Sequence, residues 1–184
     1  MKDVCKKSFS THQATLIQNT DRFLIIDWRR ADGSSDYYVN YIVDKKRGSL
    51  IVSGDLGDSI ATWFNPINPT NLKKYVLDVG YYISKFQCSS NKYRYDFEDI
   101  LADIKEYVSD FGFEIDEELW ENVKESVENS NYGTEFIPSK ELIELISEFD
   151  SDYCEWLYHC GERVHIRVHL WAEGFNMACE QLGI

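Results

Sequence analysis

Short runs of β-branched, aromatic and aliphatic residues dominate the first third of the chain. Residues 14–19 (ATLIQN) and 22–28 (RFLIIDW) have the composition of strands, separated by a short turn. Asp32-Gly33-Ser34-Ser35 is turn chemistry, and residues 36–43 (DYYVNYIV) predict a third strand. Asp44 to Gly48 (DKKRG) is a charged hairpin tip, after which residues 49–53 return as a fourth strand. The pattern is an antiparallel meander.

Beyond it the period changes. Residues 57–64 (GDSIATWF) predict a short helix, broken by the segment Asn65 to Pro69. Thr70 is placed to cap a helix running to about Phe86, with Leu72, Val76, Val79 and Ile83 on one stripe. Asp96 caps the next, whose stripe is Phe97, Ile100, Leu101, Ile104, Val108 and Phe111. Asp116 opens another (Leu119, Trp120, Val123, Val127), and Ser139 a further one (Leu142, Ile143, Ile146, Phe149). Residues 152–159 read as a short helix. In the tail, Val164, Ile166, Val168 and Leu170 alternate as a strand would, yet Val164, Val168, Trp171, Phe175, Ala178 and Leu182 keep a helical period for longer. The longer pattern favours a helix. The expected fold is α+β: an N-terminal antiparallel β-meander followed by a bundle of five or six helices. Residues 1–95 would hold the sheet and one helix and residues 96–184 the acidic helices, together forming one compact domain.

Composition adds little to that picture. In 184 residues, 43% hydrophobic and 15% aromatic content is enough for a core. The basic N-terminus MKDVCKKSFSTHQ lacks the apolar stretch of a secretion signal, and no apolar run is long enough for a membrane span, so a cytoplasmic protein is expected. Five irregularly spaced cysteines (Cys5, Cys88, Cys154, Cys160, Cys179) predict reduced thiols, not a disulfide framework or zinc knot.

Charge changes the picture more. The total is −13, but residues 1–95 carry +5, residues 96–155 carry −17 and residues 156–184 carry −1. A block that acidic repels nucleic acid and attracts a protein whose own surface is built to hold nucleic acid. Positions 114, 117, 118, 121, 125 and 128 fall along one helical face, so Glu114, Glu117, Glu118, Glu121, Glu125 and Glu128 are the candidate partner-binding residues. A solvated acidic helix face is the plainer alternative.

The stretch SGDLGD (53–58) has two glycines after a strand, as phosphate-binding loops do. Asp55 and Asp58 oppose that role, and no Lys-Ser or Lys-Thr follows. Gly54 is better read as supplying an unusual backbone angle, with Asp55 or Asp58 capping the following helix; a carboxylate pair holding a divalent metal is the lesser alternative.

The run GSLIVSGDLGDSIATW (48–63), the helix LKKYVLDVGYYISKF behind it and the ending LWAEGFNMACEQLGI (170–184) resemble a family of small phage and mobile-element proteins. That family includes anti-CRISPR inhibitors of type II effectors. The resemblance implies a phage origin, a bacterial host cell as the location, and Cas9 or the Cas9–guide RNA complex as the partner. Leu56 stands where an aromatic residue is usual in that loop.

Three further constellations bear on chemistry. Lys45, Lys46 and Arg47, with Tyr37, Tyr38 and Tyr41 nearby in sequence, are candidates for guide RNA contact. Glu162, His165, His169 and Glu173 share a helical face just beyond His159 and Cys160, but this is not an H-E-x-x-H site, because Arg167 and Val168 occupy the intervening positions. Alternatively, His165, Arg167 and His169 aligned on a strand would suit acid–base chemistry on a phosphodiester, and a nuclease acting on RNA is the enzyme alternative. No cofactor and no metal are called for. The polar groups lie mostly on solvent faces, so the sequence favours a binding protein over an enzyme, with a small phage regulatory protein as a third reading.

Overall fold

The computed structural model describes residues 1–110, 112 and 116–184. They form an α+β protein whose chain divides into two compact units, residues 1–92 with 166–184, and residues 93–165.

In the first unit a short helix α1 (Lys2–Ser8) precedes six strands: β1 (His12–Asn19), β2 (Phe23–Arg30), β3 (Val39–Asp44), β4 (Ser49–Gly54), β5 (Ser59–Thr62) and β6 (Phe86–Ser89). Each pairs antiparallel with the next, so the sheet order is the sequence order. Between β5 and β6 lie α2 (Pro69–Leu77) and α3 (Val79–Ile83). Strand alternation selects one face for burial. Leu24, Ile26 and Trp28 of β2 stand opposite Val43, Tyr41 and Val39 of β3, which stand opposite Leu50, Val52 and Gly54 of β4. Apart from Gly54, all these residues are buried, and each large side chain contributes roughly 1.5–3 kcal/mol. The long helix α7 (Ile166–Leu182) packs against β1, β2 and β3 with Trp171, Phe175, Ala178 and Cys179 buried. Its approach is close: a Cβ on Gly174 would sit 2.5 Å from Tyr41 Oη and 3.0 Å from Phe9. That proximity lets the Tyr41 hydroxyl donate to the Trp171 carbonyl at 3.0 Å.

The second unit contains β7 (Tyr93–Tyr95), α4 (Phe97–Asp110), α5 (Glu117–Glu128), α6 (Lys140–Ser147), two 3₁₀ turns at Tyr153–Glu155 and Leu157–His159, and β8 (Glu162–Val164), which pairs antiparallel with β7. Its core joins Ile100, Leu101, Ile104 and Val108 of α4 to Val123 and Val127 of α5 and to Leu142 and Ile146 of α6. Asp103 ties the C-terminal end of the unit to α4. Its carboxylate accepts two guanidinium hydrogen bonds from Arg163, at 2.9 and 2.7 Å, and one from the Gly161 N–H at 2.7 Å. These partners, the Arg163 guanidinium first, hold the Asp103 carboxyl below its ordinary range.

Several expectations are corrected. Residues 57–64 do not form a helix. Ser59 and Ala61 point inward, and the segment pairs with both β4 and β6 as β5, so long-range pairing overrides local preference. Asp55 and Asp58 therefore cap no helix: the Asp55 carboxylate accepts the Tyr37 N–H at 2.9 Å, and the Asp58 N–H donates to Ser90 Oγ. Gly54 does take a positive φ of 141°. The helix placed at 70–86 begins instead behind Asn68, whose side chain accepts the Asn71 N–H with Pro69 at the first helical position. It breaks at Asp78, which caps α3 through the Tyr81 N–H at 3.1 Å. The helix inventory thus differs from a run of five or six: α1 precedes the sheet, one expected helix is two, and residues 152–159 wind as 3₁₀ turns. The terminal helix, expected with the acidic helices, belongs to the sheet-bearing unit because its apolar face covers that sheet.

Candidate functional site

The acidic face is built on α5 and α6. Asp116 caps α5 by accepting the Leu119 N–H at 2.8 Å, and Ser139 caps α6 by accepting the Leu142 N–H at 3.1 Å. The Ser139 hydroxyl also donates to the Ser126 carbonyl at 2.8 Å, as does the Ser130 hydroxyl, which stitches the end of α5 to the start of α6. Burial of Val123, Ser126 and Val127 turns Glu117, Glu118, Glu121, Glu125 and Glu128 to the outside, all of them exposed. Successive four-residue steps along that face rise about 6 Å. Glu114 lies outside the described residues.

An open groove of about 450 Å³ runs between the two helices, lined by Asn122 and Glu125 from α5, by Asn129 at its end, and by Glu141, Glu144 and Glu148 from α6 and its end. Sequence reasoning missed the α6 carboxylates. Their spacing of three and four matches that of α5, but only the packing of α6 on α5 brings them to Glu125.

Little positive charge offsets this face. The unit holds 21 Asp and Glu against five Lys and Arg. Arg94 pairs with Asp96 and Asp99, Arg163 with Asp99 and Asp103, Lys124 with Glu121 at 2.6 Å and Lys140 with Glu144 at 2.9 Å. Lys105 lies over the Trp120 ring. Among the described residues Glu117, Glu118, Glu125, Glu128 and Glu148 have no such cation. These carboxylates, unlike Glu121 and Glu144, offer acceptors to a cationic partner without first having to break an ion pair.

The other candidates are not assembled as the sequence suggested. Lys45 Nζ turns back to Asn19 Oδ1 at 2.7 Å and the Thr20 carbonyl at 2.6 Å, while Lys46 and Arg47 stay exposed at the hairpin tip. Tyr37 and Tyr38 sit before β3, at the far end from that tip, and Tyr41 is buried. The tyrosines therefore do not flank the basic tip, because a strand of six residues separates them from it. Glu162 lies in β8, His165 in the link after it, and Arg167, His169 and Glu173 in α7. A common helix face for the set, or a common strand for His165, Arg167 and His169, does not exist. His169 lines a cleft of about 320 Å³ with Cys5 and Glu173. Burial holds its imidazole below the usual value and pushes the Cys5 thiol up, so this thiol is not primed as a nucleophile. Among the described residues no group of three or more His, Cys, Asp or Glu could hold a metal ion, and no helix is long and apolar enough to cross a membrane.

No family model, no curated protein and no solved structure matches the chain.

Proposed function

We propose that the chain is an inhibitory binding protein of phage type, whose acidic α5–α6 surface occupies a basic nucleic-acid groove of a type II CRISPR effector, Cas9 or its guide RNA complex. One observation carries this reading: unneutralised carboxylates from two helices converge on an open groove in a unit of net charge −16. To a groove lined by lysine and arginine, carboxylates repeating along a helix substitute for phosphates, and the resulting field speeds association. The resemblance of residues 48–63 and 170–184 to a phage and mobile-element family that includes anti-CRISPR proteins supports the choice of effector.

The test is capture of Cas9, free and guide-loaded, on the immobilised chain. The parent retains the effector at low salt. The variant Glu117→Lys, Glu118→Lys, Glu121→Lys keeps its helical circular dichroism and loses capture. Undiminished capture by that folded variant would remove α5 from the interface.

A further inference from the structure

The first unit carries a second surface of opposite character. Trp63 follows β5 and lies nearly parallel to two tyrosines, the buried Tyr82 (centroids 6.3 Å apart, 4° between planes) and the exposed Tyr75 (6.1 Å, 23°). Tyr81 meets Tyr75 edge-on at 5.5 Å, and Lys85 Nζ lies 4.5 Å from the Tyr81 ring centre. Tyr75 and Tyr81 are 36% and 37% exposed. Next to Trp63, Phe64 is 76% exposed, more than any other large apolar side chain described. Its φ of 59° is one that an aromatic residue rarely adopts, so the loop holds this ring outward against its own backbone preference.

The same loop is clamped to the basic hairpin tip. The Trp63 N–H donates to the Gly48 carbonyl and the Ile67 N–H to the Lys45 carbonyl, both at 2.8 Å. A Cβ on Gly48 would lie 1.8 Å from the Asn65 carbonyl oxygen, so only glycine permits this approach. Arg47, exposed at the tip, directly precedes the clamped Gly48, and Lys85, whose carbonyl accepts the Thr62 N–H at 2.9 Å, lies against Tyr81.

We infer that Trp63, Phe64, Tyr75 and Tyr81, bracketed by Arg47 and Lys85, form a binding strip for single-stranded RNA. Partly exposed rings with cations close by offer stacking to bases and neutralisation to phosphates, the two terms that hold single strands without sequence preference. An acidic peptide would use the cations but has no flat side chain at each step to meet the rings. The strip lies wholly in the first unit, and the inference is independent of the acidic-groove reading.

The experiment is fluorescence anisotropy of an end-labelled, unstructured RNA of about 12 nucleotides titrated with the full chain at low salt. Saturable binding is expected. The double variant Tyr75→Ala, Tyr81→Ala should weaken it about tenfold, Tyr75→Phe should retain it, and Arg47→Glu should weaken it in a salt-dependent way. Thermal melts of each variant separate lost binding from lost folding, and Phe64→Asn provides a second probe at a position where asparagine tolerates the positive φ. Absence of saturable binding, parent-like affinity in a folded tyrosine double variant, or equal competition by polyglutamate or by duplex RNA of the same length would overturn the inference.

Discussion

Glu125 and Glu148 line the α5–α6 groove with no cation partner among the described residues, so folding has to tolerate them rather than use them; Glu141, in the first turn of α6 and beside Lys140, is better placed. Glu125 stands four residues from Glu121 and three from Glu128, and Glu144 stands three from Glu141 and four from Glu148. Like charges at these spacings cost a helix roughly 0.2–0.5 kcal/mol each. Four such pairs sum to about 1–2 kcal/mol, part of which Lys124 and Lys140 relieve through Glu121 and Glu144. Glu125 also sits in the last turn of α5, where no basic residue faces the negative end of the helix dipole. Replacing Glu125 and Glu148 by Gln removes three of those four pairs and should therefore stabilise the second unit by about 1 kcal/mol, raising its melting midpoint by several degrees. The assay is thermal unfolding by circular dichroism at low and at molar salt. The gain should shrink at high salt, because screening already removes the repulsion from the parent. The same double variant should bind the proposed effector less well. A variant less stable than the parent at low salt would refute the reasoning, since those carboxylates would then be structural.

Three other outcomes are expected. Gly174→Ala should destabilise the first unit by roughly 1–2 kcal/mol in denaturant titration, because the added methyl meets Tyr41 and Phe9 at 2.5–3.0 Å and this outweighs the gain in helix propensity. Asp103→Asn should cost about 1–2 kcal/mol by the same measurement, a figure reduced because Arg163 is partly exposed. Since the Asp103 carboxyl titrates below its ordinary value when folded, the stability it confers is complete above about pH 4 and disappears as pH falls through the lower folded value; the parent and the Asn variant should converge in acid. In the native protein Cys88 and Cys154 should react with a thiol reagent, whereas Cys5, Cys160 and Cys179 should react only after unfolding, burial having pushed the last two thiols up to about 12.

Features decided within a few residues were legible in the sequence. Asp116 and Ser139 announce their helices because a cap needs only a side-chain acceptor three residues before a free N–H, and the apolar stripes of α4, α5 and α6 follow from the helical period alone. Features decided across the chain were not. Residues 59–62 become a strand because β4 and β6 offer partners on both sides, information absent from GDSIATWF itself. The ambiguous tail contains both answers in succession: Glu162–Val164 pairs with β7, and Ile166 then begins α7. The α5 carboxylates could be placed on one face by counting, but their union with Glu141 and Glu148 required the packing of α6. Likewise Trp63, Tyr75 and Tyr81 are too distant in sequence to declare a common surface.

The central claim is that a cationic groove takes the α5–α6 face for a nucleic-acid backbone. The dissociation constant of the chain for purified Cas9, measured across salt from about 50 to 200 mM, tests it most directly. If those carboxylates face lysines and arginines of the effector, affinity should fall steadily over that range as screening grows, and the Glu125, Glu141, Glu148 triple Gln variant should show a shallower slope. An affinity independent of salt, or a slope unchanged in that variant, would contradict it.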